Sequence, residues 1–163
     1  MERWRALAEQ FAREGYRIVL TGGSGDRIKN SDVIESLPES LRDVVFNVAG
    51  CSLSEAAWIL SHADLTVAVD TGTMHLAGAL DVPLVALHGP SSSRRWGSLS
   101  KKTVAIDSPM QGCGYLTLGF ETRDPCPDCM RQISFEIVRD TCHELLRSGR
   151  IENKTPESLP ARR

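Results

Sequence analysis

The segment from residue 70 to residue 75, with the sequence DTGTMH, could bind an anion. It leads from an apolar run typical of a buried strand into a predicted helix, with no bulky side chain at the turn. The first N–H groups of a helix lack backbone partners and carry the positive end of the helix dipole, so they attract anions. Gly72 would let a phosphate approach the backbone, and the hydroxyls of Thr71 and Thr73 could add hydrogen-bond donors.

Asp70 and His75 flank this turn and suggest two different roles. A carboxylate repels a phosphate at contact distance, so Asp70 is better suited to accept hydrogen bonds from sugar hydroxyls beside a diphosphate. His75 lies about one turn into the helix and could donate to a phosphate or a sugar oxygen. In isolation the same residues are explained about equally well by a plain helix cap and a surface histidine.

Two further loops, both rich in glycine and hydroxyl residues, follow predicted strands. The glycine-rich loop that includes Gly23 is followed by Asp26, whose carboxylate could accept hydrogen bonds from two ribose hydroxyls. This loop lacks the G-x-G-x-x-G spacing and is weak evidence alone. The other loop, residues 88 to 97 (HGPSSSRRWG), contains Arg94 and Arg95, which could each hold a phosphate through two hydrogen bonds or simply lie on a solvated rim.

Strands and helices alternate around these loops. Apolar and β-branched runs predict strands at residues 16 to 21, 44 to 48, 64 to 69, 83 to 87 and 103 to 106. Helical periodicity and capping signals predict helices over residues 2 to 14, 27 to 37, the segment opened by Ser52, 72 to 80, and a last one that ends before Gly149. This order predicts an α/β fold with a Rossmann-like parallel sheet and helices on both faces, in which ligands bind beyond the carboxyl ends of the strands.

The composition is that of a globular protein of ordinary domain size. The chain has 163 residues, of which 41% are hydrophobic and 25% charged, and its net charge of -2 gives no general attraction to nucleic acid. No run approaches the ~20 apolar residues of a membrane span, and the N-terminus lacks the apolar run of a signal peptide. We therefore expect one domain over residues 1 to 150, a loose tail over residues 151 to 163, and a cytoplasmic location.

The cysteines raise the question of a metal site. The chain has five, an odd number that fits a reducing compartment better than a disulfide framework. Cys126 and Cys129 have C-x-x-C spacing, with Cys113 upstream and Cys142 downstream, as in zinc sites. A single C-x-x-C without a second matched pair is weak evidence, so we expect free thiols in an irregular loop over residues 108 to 132 and no metal.

Residues 47 to 97, NVAGCSLSEAAWILSHADLTVAVDTGTMHLAGALDVPLVALHGPSSSRRWG, closely resemble glycosyltransferase family 9, the ADP-heptose lipopolysaccharide heptosyltransferases. The resemblance extends upstream through YRIVLTGG and downstream to the Cys129-Met130 pair followed by Ile133, so it covers most of residues 2 to 147. It implies a GT-B fold, in which a C-terminal Rossmann-like domain binds the nucleotide sugar and a separate N-terminal domain holds the acceptor. This chain resembles the C-terminal domain.

The resemblance and the chemistry of the loops together predict the donor-binding residues. Asp70 would hold the transferred sugar, Thr71 and Gly72 would bind the diphosphate through their amides, and Asp26 would hold the ribose. The segment from residue 49 to residue 53 would flank the base. The complete predicted set is Gly23, Asp26, Ser52, Leu53, Asp70, Thr71, Gly72, Thr73, His75 and Arg94.

The implied reaction is inverting transfer of a sugar from a nucleotide-diphosphate donor, with ADP-heptose expected, to a glycolipid acceptor of lipopolysaccharide core or related glycan biosynthesis. The family's general base is an aspartate of the N-terminal acceptor domain, and its donor-binding lysine lies in a K-x-W-P-like segment before the helix that begins here at Glu2. Neither is present in this sequence, so we expect the isolated chain to be inactive without that domain. No cofactor is expected, and a full-length protein could lie at the periphery of the inner membrane.

Two other functions stay open from the sequence. A non-catalytic nucleotide-binding module would use the same residues, and a nucleotide-sugar epimerase of related GT-B architecture would also need two domains. The extended family 9 pattern favours the transferase over the epimerase. The identity of the sugar, the base and the acceptor does not follow from the residues.

Overall fold

The fold is that of a computed structural model, which describes residues 1–119, 121 and 128–152, the last four of them by backbone alone. The chain divides into two compact units, Met1–His62 and Ala63–Arg163.

The first unit contains four helices and two strands in the described residues. Its elements are α1 (Glu2–Arg13), β1 (Ile18–Leu20), a 3-10 turn (Ser24–Asp26), α2 (Arg27–Glu35), α3 (Glu39–Arg42), β2 (Val45–Asn47) and α4 (Leu53–Ser61). The two strands pair in parallel, with Ile18 opposite Val45 and Leu20 opposite Asn47. Parallel pairing places the loops that follow β1 and β2 at the same edge of this small sheet.

The core of the first unit is built from side chains of α1, α2, α3 and the two strands, together with residues that connect them. Ala12, Leu37 and Val45 are buried at its centre. The partly buried side chains packed around them are Ile18, Leu20, Ile34, Leu41 and Val44. This burial explains why α1 carries its apolar residues at helical spacing, with Leu7, Ala8, Phe11 and Ala12 all buried.

Helix α4 begins with the predicted capping box. The backbone N–H of Glu55 donates to the Ser52 hydroxyl at 3.3 Å, and the backbone N–H of Ser52 donates to the Glu55 carboxylate at 2.7 Å. Two N–H groups that the helix cannot satisfy itself therefore have partners. The prediction from the Ser-x-x-Glu spacing is confirmed.

The second unit is a three-stranded parallel sheet with helices between the strands. Its elements are β3 (Thr66–Val69), α5 (Gly72–Ala79), β4 (Leu84–His88), α6 (Ser93–Trp96), β5 (Thr103–Asp107), a 3-10 turn (Met130–Gln132) and α7 (Phe135–Glu152). The strand order is β3-β4-β5, so β4 is central, and every residue of β4 is buried. Continuous burial accounts for the unbroken apolar run that predicted this strand.

The described structure confirms the predicted fold class and corrects several details. All five predicted strands form, and they belong to two parallel sheets, one in each unit. The short helices α3 and α6 were not predicted. Helix α7 was predicted to end before Gly149, and this boundary is wrong, because the helix continues to Glu152 and so includes the first two residues of the predicted tail. A single glycine costs a helix only about 1 kcal/mol, which the preceding turns offset. The rest of the predicted tail, residues 153 to 163, lies outside the described residues.

The prediction of free thiols is wrong for two of the cysteines. Cys113 and Cys129 form a disulfide across 16 positions of sequence, whereas Cys51 and Cys142 are free of disulfides to other described residues. Burial raises the pKa of the Cys142 thiol to about 12, so this thiol stays protonated at neutral pH. Cys126, the other half of the C-x-x-C pair, lies outside the described residues.

In the part of the chain that the structure describes, no helix has the length and apolar character to span a membrane. No group of three or more histidine, cysteine or acidic side chains there is arranged to hold a metal ion.

Candidate functional site

The turn between β3 and α5 has the backbone geometry of a helix start that is open to a ligand. Thr71 is the N-cap residue, with extended dihedral angles of φ −149° and ψ 172°, and its side chain does not cap the helix. Its hydroxyl donates instead to the carbonyl of Val69 at 3.2 Å. The N–H groups at the start of α5 are therefore left without the side-chain acceptor that an N-cap residue usually supplies.

Gly72 leaves open space at this helix start. Apart from its chain neighbours and the backbone of its own helix, no heavy atom of the described residues lies within 4 Å of a Cβ atom added to Gly72, and both Gly72 and Thr71 are exposed. The missing side chain is therefore not required for packing. Its absence leaves room for a ligand to approach the backbone, which is the use that anion-binding turns make of glycine.

Asp70 and His75 lie in contact beside this turn, although the sequence suggested separate roles for them. The His75 Nε2 atom lies 3.3 Å from the Asp70 Oδ1 atom. The Asp70 side chain is 20% exposed and that of His75 48%. The pair therefore offers one partly accessible carboxylate, held in place by the imidazole, at the edge of the turn.

His88 ends the central strand and is a buried polar residue for which the sequence predicted no role. Its side chain is fully buried, its Nδ1 atom lies 3.2 Å from the Ser91 hydroxyl, and its Nε2 atom has no hydrogen-bond partner among the described residues. Burial lowers the pKa of His88 below its usual value, and the negative charges of Asp107 and Asp70 only partly oppose this effect. His88 is therefore neutral at pH 7. The available signal was a histidine at the end of the apolar strand PLVALH.

The ends of the three parallel strands place acidic residues on both sides of His88. In the sheet register, Val69 lies opposite Leu87, and His88 lies opposite Asp107. Asp70 follows Val69 directly, so Asp70, His88 and Asp107 succeed one another across the carboxyl edge of the sheet. This is the edge at which open α/β sheets bind ligands.

The loop after β4 carries Arg94 on the one-turn helix α6. Arg94 and Arg95 are exposed, and no ion pair joins either guanidinium to another of the described residues. The N-terminus of α6 is occupied, because the carboxylate of Asp107 accepts hydrogen bonds from the backbone N–H and the hydroxyl of Ser93. The predicted phosphate contact of Arg94 is thus available to a ligand, whereas the N–H group of Ser93 is not.

A second segment, residues 113 to 116, is hydrogen-bonded to this loop. The N–H groups of Gly114 and Leu116 donate to the carbonyls of Gly89 and Pro90, each at 2.9 Å. The Trp96 indole Nε1 atom donates to the carbonyl of Leu116 at 3.2 Å. The Cys113–Cys129 disulfide ties the beginning of this segment to the turn that precedes α7. The loop after β4 is therefore held by contacts distant in sequence.

In the first unit, Asp26 closes its own loop. Its Oδ2 atom accepts a hydrogen bond from the N–H of Gly23 at 3.1 Å, and its Oδ1 atom lies 3.8 Å from the Lys29 ammonium. The two residues of this loop that were predicted to bind the donor, Gly23 and Asp26, are thus hydrogen-bonded to each other. A ribose would have to bind the remaining acceptor positions of this carboxylate, and the ribose contact stays a prediction.

Ser52 and Leu53 begin α4 after the second loop of the same unit. The Ser52 side chain takes part in the capping box, and the Leu53 side chain is 74% exposed. The Arg27 guanidinium donates to the carbonyl of Ala49 at 2.9 Å, and Gly50 donates to Gly22 at the same distance. Within the first unit these bonds join the two loops that were predicted to hold the ribose and the base.

Sheet order and turn geometry define a Rossmann-like α/β protein with a helix start open to ligand. Residues 1–115 match the family model described as glycosyltransferase family 9 (heptosyltransferase). The match covers more than half of the 163 residues, and the chain belongs to this family.

Individual relatives agree with the family model. The chain is 37% identical over 101 residues to lipooligosaccharide heptosyltransferase 2 of Haemophilus influenzae, a match that covers 61% of this chain and 29% of that protein. The structure resembles E. coli ADP-heptose LPS heptosyltransferase II with a TM-score of 0.78 and 29% identity, covering 91% of this chain and 41% of that one. It also resembles E. coli heptosyltransferase WaaC with ADP, with a TM-score of 0.69, 26% identity and coverage of 88% and 38%. The chain thus spans less than half the length of these proteins.

Proposed function

We propose that the second unit binds the diphosphate and the sugar of a nucleotide-sugar donor, ADP-heptose, for an inverting heptosyl transfer in lipopolysaccharide core biosynthesis. The proposal rests on one observation: the start of α5 at Thr71 and Gly72 is exposed, and the Thr71 side chain does not cap it. Family membership supports it, as does the resemblance to a heptosyltransferase whose structure contains ADP.

The diphosphate binds to the backbone at the start of α5. The N–H groups of Gly72, Thr73 and Met74 supply donors, and the helix dipole adds a favourable field for the anion. Arg94 adds a guanidinium from the neighbouring strand end. As the bond between the sugar and the diphosphate breaks, negative charge grows on the leaving group, and donors fixed by the fold stabilise it without reorganising.

Asp70 binds hydroxyl groups of the sugar. Its carboxylate accepts hydrogen bonds but repels phosphate, and the adjacent His75 imidazole holds its Oδ1 atom. His75 lines the same site and keeps Asp70 oriented. The general base that activates the acceptor hydroxyl is not assigned to this chain; the acceptor domain of the family supplies it in this proposal.

The division between diphosphate and sugar is tested by calorimetry with ADP and ADP-heptose. Asp70→Ala should leave the Kd for ADP within about twofold, because the diphosphate contacts remain. It should lower the affinity for ADP-heptose by about tenfold or more, since hydrogen bonds to a charged group contribute about 1.5–3 kcal/mol. Asp64→Ala is the matched control, because it removes an exposed carboxylate just before the amino end of the same strand. Equal losses for both ligands would contradict the assignment of Asp70 to the sugar.

Catalysis requires a separate experiment. Heptose transfer should be observed when the chain is combined with a family acceptor domain, and Asp70→Ala should lower its rate. Donor binding without any transfer in that combination would favour a non-catalytic nucleotide-binding module.

A further inference from the structure

We propose that Asp107 is a positioning residue that fixes the Arg94 guanidinium for the donor diphosphate. This inference rests on the proposed function, in which Arg94 is a phosphate ligand. Asp107 itself does not contact the ligand in this proposal; it acts through Ser93 and the first turn of α6.

The contacts of Asp107 account for this role. One carboxylate oxygen accepts a hydrogen bond from the backbone N–H of Ser93 at 2.8 Å, and the other accepts from the Ser93 hydroxyl. The carboxylate thus caps α6 from a different strand, 14 positions further along the chain. Pairing of Asp107 with His88 in the sheet fixes the carboxylate relative to β4. Arg94 follows Ser93 directly, so the capped residue sets the backbone from which the guanidinium extends.

Helix α6 needs such an external anchor because it is very short. A single helical turn fixes several dihedral angles for one or two hydrogen bonds and is unstable by itself. In α6 the backbone bonds are Arg95 to Ser92, Trp96 to Ser92 and Gly97 to Ser93, at 2.8 to 3.0 Å. Arg94 is exposed and joins no other described residue in an ion pair, so the backbone of α6 is what directs it.

The charge of Asp107 would repel a phosphate if its oxygens were free. Both oxygens of Asp107 accept hydrogen bonds from Ser93, so the carboxylate is used to cap α6. A carboxylate near a proposed diphosphate site is therefore consistent with a positioning role and inconsistent with direct contact.

Binding of ADP to a set of variants of the whole chain tests the inference. Arg94→Ala should weaken ADP binding by about tenfold, the loss expected for a charge-assisted hydrogen bond. Asp107→Ala and Ser93→Ala should each weaken it by about three- to tenfold, because they loosen the same turn. In the Arg94→Ala background, Asp107→Ala should have no further effect on the Kd, since the residue it positions is gone.

Ser100→Ala is the matched control. The Ser100 hydroxyl donates to the Asp81 carboxylate at 2.6 Å, so this substitution also removes a serine–aspartate hydrogen bond from the second unit. Asp81 precedes β4, at the opposite end of that strand from Asp107. Ser100→Ala should lower thermal stability about as much as Ser93→Ala while leaving the Kd for ADP unchanged. Asp107→Asn should largely restore binding, because an amide oxygen can still accept from the Ser93 N–H.

The outcomes separate the two proposals. If Asp107→Ala weakens ADP binding equally with and without Arg94, or if Ser93→Ala leaves the Kd unchanged, Asp107 does not act through Arg94. If Arg94→Ala has no effect, no phosphate contact exists to be positioned, and the inference fails while the α5 turn stays a candidate. Loss of binding on blocking that turn at Gly72 tests the proposed function independently.

Discussion

Replacing Gly72 with valine changes the start of α5 without disturbing the packing around it. Outside the chain neighbours and the backbone of α5 itself, no heavy atom of the described residues lies within 4 Å of an added Cβ atom, and the position is exposed. Replacing glycine in a helix by a residue with a side chain does not cost backbone entropy, and glycine is the poorer helix former by several tenths of a kcal/mol. We therefore expect the melting temperature of Gly72→Val to stay within a few degrees of that of the parent chain, about the shift caused by 1 kcal/mol.

The effect on the ligand should be far larger than the effect on the fold. The valine side chain would occupy the space through which a phosphate reaches the N–H groups of the first turn. Loss of two hydrogen bonds to a charged group, at about 1.5 kcal/mol each, amounts to about 3 kcal/mol. This corresponds to a Kd for ADP that is roughly 100-fold higher. Gly72→Ala should give a smaller loss, because a methyl group blocks less of the approach.

Calorimetric titration with ADP, together with thermal unfolding, measures both quantities on the same samples. Ala79→Val is the matched control, since it adds the same kind of side chain at an exposed position at the other end of α5. It should leave the Kd unchanged. If Gly72→Val folds with an unchanged melting temperature and binds ADP as tightly as the parent chain, the diphosphate does not bind at the start of α5, and the reasoning from the uncapped turn is refuted.

Two further predictions concern stability. Burial lowers the pKa of His88 below the ordinary value of 6.5, so the unfolded chain binds a proton that the folded chain resists. The stability that the neutral imidazole contributes is fully present above pH 6.5. The free energy of unfolding then falls as the pH drops below 6.5, by at most about 1.4 kcal/mol per pH unit. Urea titrations at several pH values from 5 to 8 should therefore show a free energy of unfolding that falls towards low pH, and His88→Phe should make this dependence on pH weaker. An unchanged dependence on pH in His88→Phe would contradict a buried neutral imidazole. Reduction of the Cys113–Cys129 disulfide, which closes a loop of 16 positions, should cost about 3 kcal/mol. A lower melting temperature in dithiothreitol should be seen in the parent and in Cys51→Ser, and should be absent in Cys113→Ser if the pairing is correct.

Features determined by local sequence could be predicted. The strand predicted at residues 83 to 87 is present at Leu84–His88. It could be predicted because an unbroken apolar run of this length is typical of a central parallel strand. The capping box of Ser52 and Glu55 formed because its two hydrogen bonds join residues three positions apart. The start of α5 follows from the same kind of local signal, a strand followed by a small residue and a helix.

Features that depend on strand register or distant contacts could not be predicted. The disulfide joins residues brought together by the packing of the loop after β4, whereas the sequence predicted free thiols in this region. The cap that Asp107 provides for Ser93 depends on which residue of β5 lies opposite His88. A shift of one residue in this pairing would turn the carboxylate to the other face of the sheet. Such information is not present in residue spacing.

The three strand ends of the second unit explain how an anion site can form beside two carboxylates. Asp70 is paired with His75, and Asp107 accepts from Ser93, so each carboxylate already has a local partner. His88 lies between them without a charge, because burial favours its neutral form. The positive contributions at this edge, the start of α5 and the Arg94 guanidinium, therefore stay available to a diphosphate. In the proposed donor site, the Asp70 side chain, which is 20% exposed, would still accept from a sugar hydroxyl, so sugar and phosphate would bind to neighbouring residues of opposite preference.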